Sequence, residues 1–211
     1  MSEYTLVDNL FLYPTPVGTY YAVSSPDEDK SRKFLQQLLK QPETPPLNVE
    51  TLMRLMDEEN EEKALELLRH CQKLGWVQGI EQSVKYREES LEQILPELLS
   101  NVSESGKVLL ADDQGFYLAC SGFAHEVAEE LSALSAEIST VHNRRSGLLM
   151  NNMGIGSHAW AIVDAFGSSQ TGFWPIFIGD TRFVIAISGV PHFNQPDFIS
   201  LIWALSIRYA K

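Results

Sequence analysis

The chain opens on an aromatic and β-branched stretch, residues 6–25 (LVDNLFLYPTPVGTYYAVSS), interrupted by Pro14, Pro16 and Gly18. Turn formers inside such a run predict a β-hairpin with its turn around Thr15 to Thr19. The period then becomes helical. Ser25-Pro26-Asp27-Glu28 has the form of a helix start with acids in the first turn, and Phe34, Leu35, Leu38 and Leu39 supply one apolar face that ends before Pro42. After the Pro-rich joint QPETPP, Asn48 predicts the N-cap of a short helix faced by Leu52, Leu55 and Met56. The run NEEKALELLRHCQKLGW sets Ala64, Leu65, Leu67, Leu68, Cys71 and Leu74 along one side, with Gly75 in the place of a C-cap glycine. Trp76 to Ile80 reads as a strand.

Residues 81–90, EQSVKYREES, are mostly polar and mark a joint. We expect a small N-terminal α+β domain over residues 1–88 and a second domain over 89–211. In the second, Leu91, Ile94, Leu95, Leu98 and Leu99 make a helical stripe that Pro96 either starts or kinks. Lys107 to Asp112 and Phe116 to Gly122 form two strands about the turn Asp113-Gln114-Gly115. A long helix follows from His125 to about Asn143, with Val127, Leu131, Leu134, Ile138 and Val141 at alternating spacings of four and three. So regular a seam must bury against something. Gly147 to Gly156 reads as a loop, and strands are expected over 157–166, 172–178 and 181–188, with Gly179-Asp180 turning between the last two. Asn194-Gln195-Pro196-Asp197 caps a closing helix carrying Phe198, Ile199, Leu201, Ile202, Leu205, Ile207 and Tyr209.

Charge narrows the partners. The 211 residues carry 28 acids and 16 bases, a net charge of −12, which opposes binding that neutralises phosphates with Lys and Arg. Division at residue 90 leaves 16 acids and 10 bases before it and 12 acids and 6 bases after it, −6 on each side but at very different density. Three short helices closed by a strand make the N-terminal part winged-helix-like, which opens transcription regulation as one alternative. Against it, Asp57-Glu58-Glu59-Asn60-Glu61-Glu62 puts five acids where a DNA-reading helix would carry bases. Neither nucleic acid nor membrane insertion is expected. Two cysteines, Cys71 and Cys120, suit no disulfide framework, and the start MSEYTLVDNL has no basic region followed by an apolar run, so a cytoplasmic setting is expected.

The phrase VLLADDQGFYLACSGF followed by HEVAEELSALSAEI, with the order α-β-β-α-β-β-β-α over about residues 91–211, resembles the roadblock family, also called the dynein light chain roadblock type. Asp112, Asp113, Gly115, Ala119, Ser121 and Gly122 occupy the places of that family's Asp-x-x-Gly hairpin. The extra N-terminal domain and the aromatic-rich ending PHFNQPDFISLIWALSIRYAK depart from the minimal pattern. The resemblance implies an α+β fold with a five-stranded antiparallel sheet, a long central helix and flanking terminal helices. It also implies a homodimer in which the long helices pair and the sheets join at their edges. Members act as adaptors and regulators of Ras-like small GTPases, and a bacterial gliding-motility member activates its GTPase. The interface residues then expected are Val127, Leu131, Leu134, Ile138 and Val141 on the helix and Trp160 and Ile162 on an edge strand; Arg144 and Arg145, in the helix's last turn, either match its dipole or, as an exposed pair, meet an acidic partner surface.

Catalytic chemistry finds little support in the residues. Ser157, His158 and Asp164 are close in sequence, yet on one strand Ser157 faces away from the other two. Gly154-Ile155-Gly156 precedes a strand, where a phosphate-binding glycine turn would join a strand to a helix. The five histidines are scattered, and no cofactor or metal is expected. The competing reading is a small-molecule sensor or enzyme with a pocket between the domains, lined by Trp160, Phe173 and Trp174.

Overall fold

A computed structural model describes residues 6–87 and 89–210. Residues 1–5 of the start MSEYTLVDNL, position 88 at the expected domain boundary and position 211 lie outside the described residues.

The N-terminal part has strand β1 (Phe11–Pro14) and helices α1 (Pro16–Val23), α2 (Lys30–Leu39), α3 (Val49–Met56) and α4 (Glu61–Lys73), and closes with β2 (Val77–Ile80). The hairpin expected over residues 6–25 does not form. β1 pairs antiparallel with the distant β2, Phe11 opposite Ile80, because the Thr-Pro pair that looked like a turn starts a helix. Thr15 is the N-cap, its hydroxyl accepting from Gly18 N–H at 3.1 Å, and Pro16 takes the first helical position. Gly18 also lets α1 lie on β2's entry, since a Cβ there would stand 2.0 Å from the Trp76 carbonyl oxygen. The next helix begins later than Ser25: Asp29 is its N-cap and accepts from Arg32 N–H at 2.9 Å. Asn48 caps α3 as expected, accepting from Thr51 N–H at 2.8 Å.

The C-terminal part runs α5 (Leu91–Asn101), β3 (Val108–Ala111), β4 (Tyr117–Ser121), α6 (His125–Ser146), β5 (Trp160–Val163), β6 (Ser169–Ile178), β7 (Thr181–Ser188) and α7 (Pro196–Tyr209). This is the anticipated succession, and its five strands form one antiparallel sheet in the order β4-β3-β7-β6-β5. The α+β architecture expected from the sequence is the one observed. Pro96 sits inside α5, and the loop expected from Gly147 is a π-helical turn, Gly147–Asn152, continuing directly from α6.

Strand alternation divides the sheet into two faces. Leu109, Phe173, Val184 and Ala186 join Ala128 of α6 in one cluster. Val108, Leu110, Ile176, Phe183, Ile185 and Ile187 face the other way and merge with α5, α7 and the N-terminal helices in a larger one. Helix α7 is buried along most of its length and lies at the centre of that second layer. An aromatic group binds α1 to it: Tyr20 stacks on Phe193 at 5.7 Å, and Phe193 lies 4.7 Å from Phe198 and 5.7 Å from Trp174.

Candidate functional site

Helix α6 carries two adjacent stripes with different fates. The stripe it buries on its own sheet is Ala128, Ser132, Ser135, Ser139 and His142. Small residues let the backbone come close to the β3–β4 hairpin, and the serine hydroxyls find acceptors within the helix: Ser132 donates to Ala128 C=O at 2.6 Å and Ser135 to Ser132 C=O at 2.7 Å. The apolar seam picked out by its periodicity is this same stripe moved by one residue, a rotation of about 100°. Leu131 and Ile138 lean on the edge of the cluster under α6. Val127, Leu134 and Val141 do not: they are 44%, 37% and 47% exposed, and Leu148 continues their seven-residue spacing at 49%.

Beside this helix, β5 is the sheet's edge, and all four of its residues are exposed, Trp160 and Ile162 among them. Met150, Met153, Ile155 and Phe166 extend the apolar surface at both ends of that strand. Arg144 and Arg145 stand exposed in the last turn of α6, where cations complement the helix dipole. The edge strand meets α6 at Trp160, which touches His142 of the helix's buried stripe.

Between α6 and the strands β5 to β7 lies a small, partly open pocket lined by His142, His158, Trp160, Phe173, Phe177 and Arg182, with Ser139 and Asn143 at its helix side. Its volume is about 10 Å³, room for about one water-sized atom. His142 is 4% exposed. Its Nδ1 accepts from the Trp160 indole at 3.1 Å, and its ring lies 4.7 Å from that of His158. Burial, then the Arg182 charge, hold the His142 pKa below the ordinary histidine value. His158 is lowered by burial first, then by His142; Arg182 and Arg32 push the same way, and Asp27 opposes them. No sequence signal marked this pocket, because its members come from three separate stretches and share no motif.

Phe173 and Trp174 are neighbours on β6 and so occupy opposite faces of the sheet; only Phe173 reaches the pocket with Trp160. The aromatic lining expected of an inter-domain pocket is not assembled. Ser157, His158 and Asp164 are not brought together either. The Ser157 hydroxyl accepts from Ala159 N–H, and Asp164 organises the β5–β6 turn by accepting from Phe166 and Ser168 N–H at 2.8 and 3.0 Å. Meanwhile His158 packs edge-on against Phe177. Cys71 is buried in the N-terminal core, where burial raises its thiol pKa. Among the described residues no group of three or more His, Cys, Asp or Glu is placed to hold a metal ion, and no helix is long and apolar enough to cross a membrane.

No family model and no curated protein matches the sequence. Several solved structures resemble part of the chain, two of them as follows. A Roadblock/LC7 domain from Streptomyces avermitilis is 13% identical and covers 57% of this chain and 93% of its own, with a TM-score of 0.36. Myxococcus xanthus MglB is 17% identical and covers 59% of this chain and 89% of its own, with a TM-score of 0.32.

Proposed function

We propose that this chain is a non-catalytic regulatory or adaptor protein of the cytoplasm that forms a homodimer through residues 89–211 and engages a Ras-like small GTPase or its associated motility or polarity machinery. The observation that carries the dimer is the exposed line Val127, Leu134, Val141 and Leu148, spaced by sevens beside an uncovered edge strand. Seven-residue apolar spacing is what a helix presents to another helix, and an open edge with Trp160 and Ile162 on it is what a sheet presents to another strand. A two-fold axis passing this surface covers both at once. Residues 1–88 then act as an appended domain on the far side of α7. The choice of a small GTPase rests on the sequence resemblance over about residues 91–211, and Arg144 and Arg145 at the rim of the seam supply charge for an acidic partner surface.

Light scattering at micromolar concentration tests the dimer. The wild-type chain is expected at twice the monomer mass, and Leu134→Glu or Val141→Glu at the monomer mass with the fold retained. A wild-type chain that stays monomeric overturns the reading. Pull-down from the native cell, compared with the Arg144→Ala/Arg145→Ala variant, tests the partner; recovery of no GTPase removes that part.

A further inference from the structure

Two buried donors converge on the pocket beneath α6 without an acceptor. Because His142 Nδ1 accepts from Trp160, the neutral ring carries its proton on Nε2. That Nε2 is fully enclosed and has no hydrogen-bond partner among the described residues, and neither has the enclosed Nε of Arg182. Buried donors of this kind are nearly always matched, and a guanidinium cannot relieve the mismatch by losing its proton. Arg182 also forms no ion pair among the described residues, although the chain carries 28 acids.

The pocket does not stand alone. Arg182, Asn143 and Phe177 also line a cleft of about 800 Å³ between α2, α3 and the β6–β7 turn. That volume lies within the range of small-molecule sites. Its walls mix Lys33 and Lys40 with Glu28, Asp57, Asp113 and Asp180, and Lys33 is paired with Glu28 at 2.7 Å. At the Arg182 end the enclosed guanidinium Nε has no acceptor among the described residues. The four carboxylates elsewhere on the wall disfavour a polyanion.

We propose that this pocket receives the oxyanion head of a small molecule, a carboxylate or a phosphate, with Arg182, His142 and His158 as its donors and the remainder of the molecule in the adjoining cleft. The pocket's size admits one oxygen, which meets the His142 Nε2 proton and the Arg182 Nε proton. The remaining oxygens lie toward Asn143 and the cleft mouth. A bound anion also favours the protonated form of both histidines, so binding strengthens as pH falls. The groups that face His158 set this balance: His142 from α6, Arg182 from β7 and Arg32 from α2 resist protonation, and Asp27 assists it.

The test uses the full chain with ¹³C-labelled histidine rings, titrated with sodium phosphate or sodium acetate against sodium chloride at matched ionic strength. The ring signals of His142 and His158 are expected to shift saturably while those of His70, His125 and His192 do not. The dissociation constant is expected to be at least threefold smaller at pH 6.0 than at pH 7.5. Preference between acetate and phosphate assigns the head group. Arg182→Gln is expected to weaken binding at least tenfold; should that variant not fold, Arg182→Lys, which keeps the charge but loses the planar fork, is expected to show the same weakening. Shifts that chloride reproduces, shifts that rise linearly without saturating, or binding unchanged in the folded arginine variant overturn the proposal.

Discussion

Trp203 of α7 donates its indole N–H to the main-chain carbonyl of Gln41, 2.8 Å away and 162 positions earlier in the chain. The bond crosses from the closing helix to the end of α2, within an apolar cluster that runs without a break from Leu12 to Leu205. The sequence change near residue 88 is thus bridged by packing.

Replacing Trp203 with Phe keeps an aromatic ring but leaves the part-buried Gln41 carbonyl without that donor. The expected cost is about 1–3 kcal/mol, a fall in melting temperature of roughly 2–12 °C for a chain of this size. Because the apolar cluster is shared, far-ultraviolet and tryptophan signals should lose structure together. Two separate transitions would show that the parts on either side of residue 88 melt independently.

Gly18 sets how closely α1 meets the start of β2. An added methyl would lie 2.0 Å from the Trp76 oxygen and 2.7 Å from its carbon, both main-chain atoms that no rotamer change can move. Gly18→Ala should therefore cost at least about 1–3 kcal/mol of stability, as an overpacked core does, and lower the urea midpoint accordingly, although alanine is the better helix former. A midpoint equal to the wild type would show that α1 is free to move off β2.

On helix α6, folding and the proposed self-association should be separable at two nearby positions. Ser132 is wholly buried, and its carbonyl lies close to where a Gly115 Cβ would stand, so Ser132→Leu should cost about 1–3 kcal/mol of folding stability. Leu134 is on the open stripe, where Leu134→Ser should change monomer stability by no more than about 0.5 kcal/mol while weakening self-association. Denaturant unfolding paired with a dilution series by light scattering reads the two effects apart. The reverse pattern would mean that the apolar stripe is the one packed on the sheet.

The same helix shows how far the sequence could be read. Its existence, length and place in the order followed from period alone, as did the β3–β4 hairpin at Asp112 to Gly115 and the two-residue turn at Gly179-Asp180. Its buried face did not, because hydrophobic periodicity finds apolar residues wherever they point, and this face is made of alanine, serine and one histidine. The opening hairpin failed for a related reason: Thr15-Pro16 serves equally as a turn and as a helix start, and only the pairing of β1 with β2 decides between them. The pocket under α6 needed residues from positions 142, 158 and 182 to meet, a juxtaposition set by sheet order that no local pattern encodes.

That pocket also makes stability depend on pH in a definite direction. His142 and His158 have folded pKa values below the ordinary 6.5, from burial first and neighbouring positive charge next. A group of this kind is more readily protonated in the unfolded chain, so the unfolded state binds more protons once pH falls below about 6.5, and stability declines from there down to the folded pKa values. Asp29 acts in a separate window. Burial there opposes the charged form, but the hydrogen bonds from Tyr21 and Arg32 and the Arg32 charge outweigh it and lower its pKa from 3.8, so its contribution is lost only in more acid solution. Melting temperature measured in chloride buffers should therefore fall between pH 7.5 and 5.5, and His142→Asn with His158→Asn should flatten the slope over that interval while leaving the loss below pH 4 in place. A double variant with the wild-type slope would place the acid sensitivity elsewhere in the molecule. Addition of phosphate or acetate at pH 6.0 provides the converse check, since an oxyanion seated on Arg182 compensates the imidazolium charges and should recover part of the lost stability, in proportion to its occupancy.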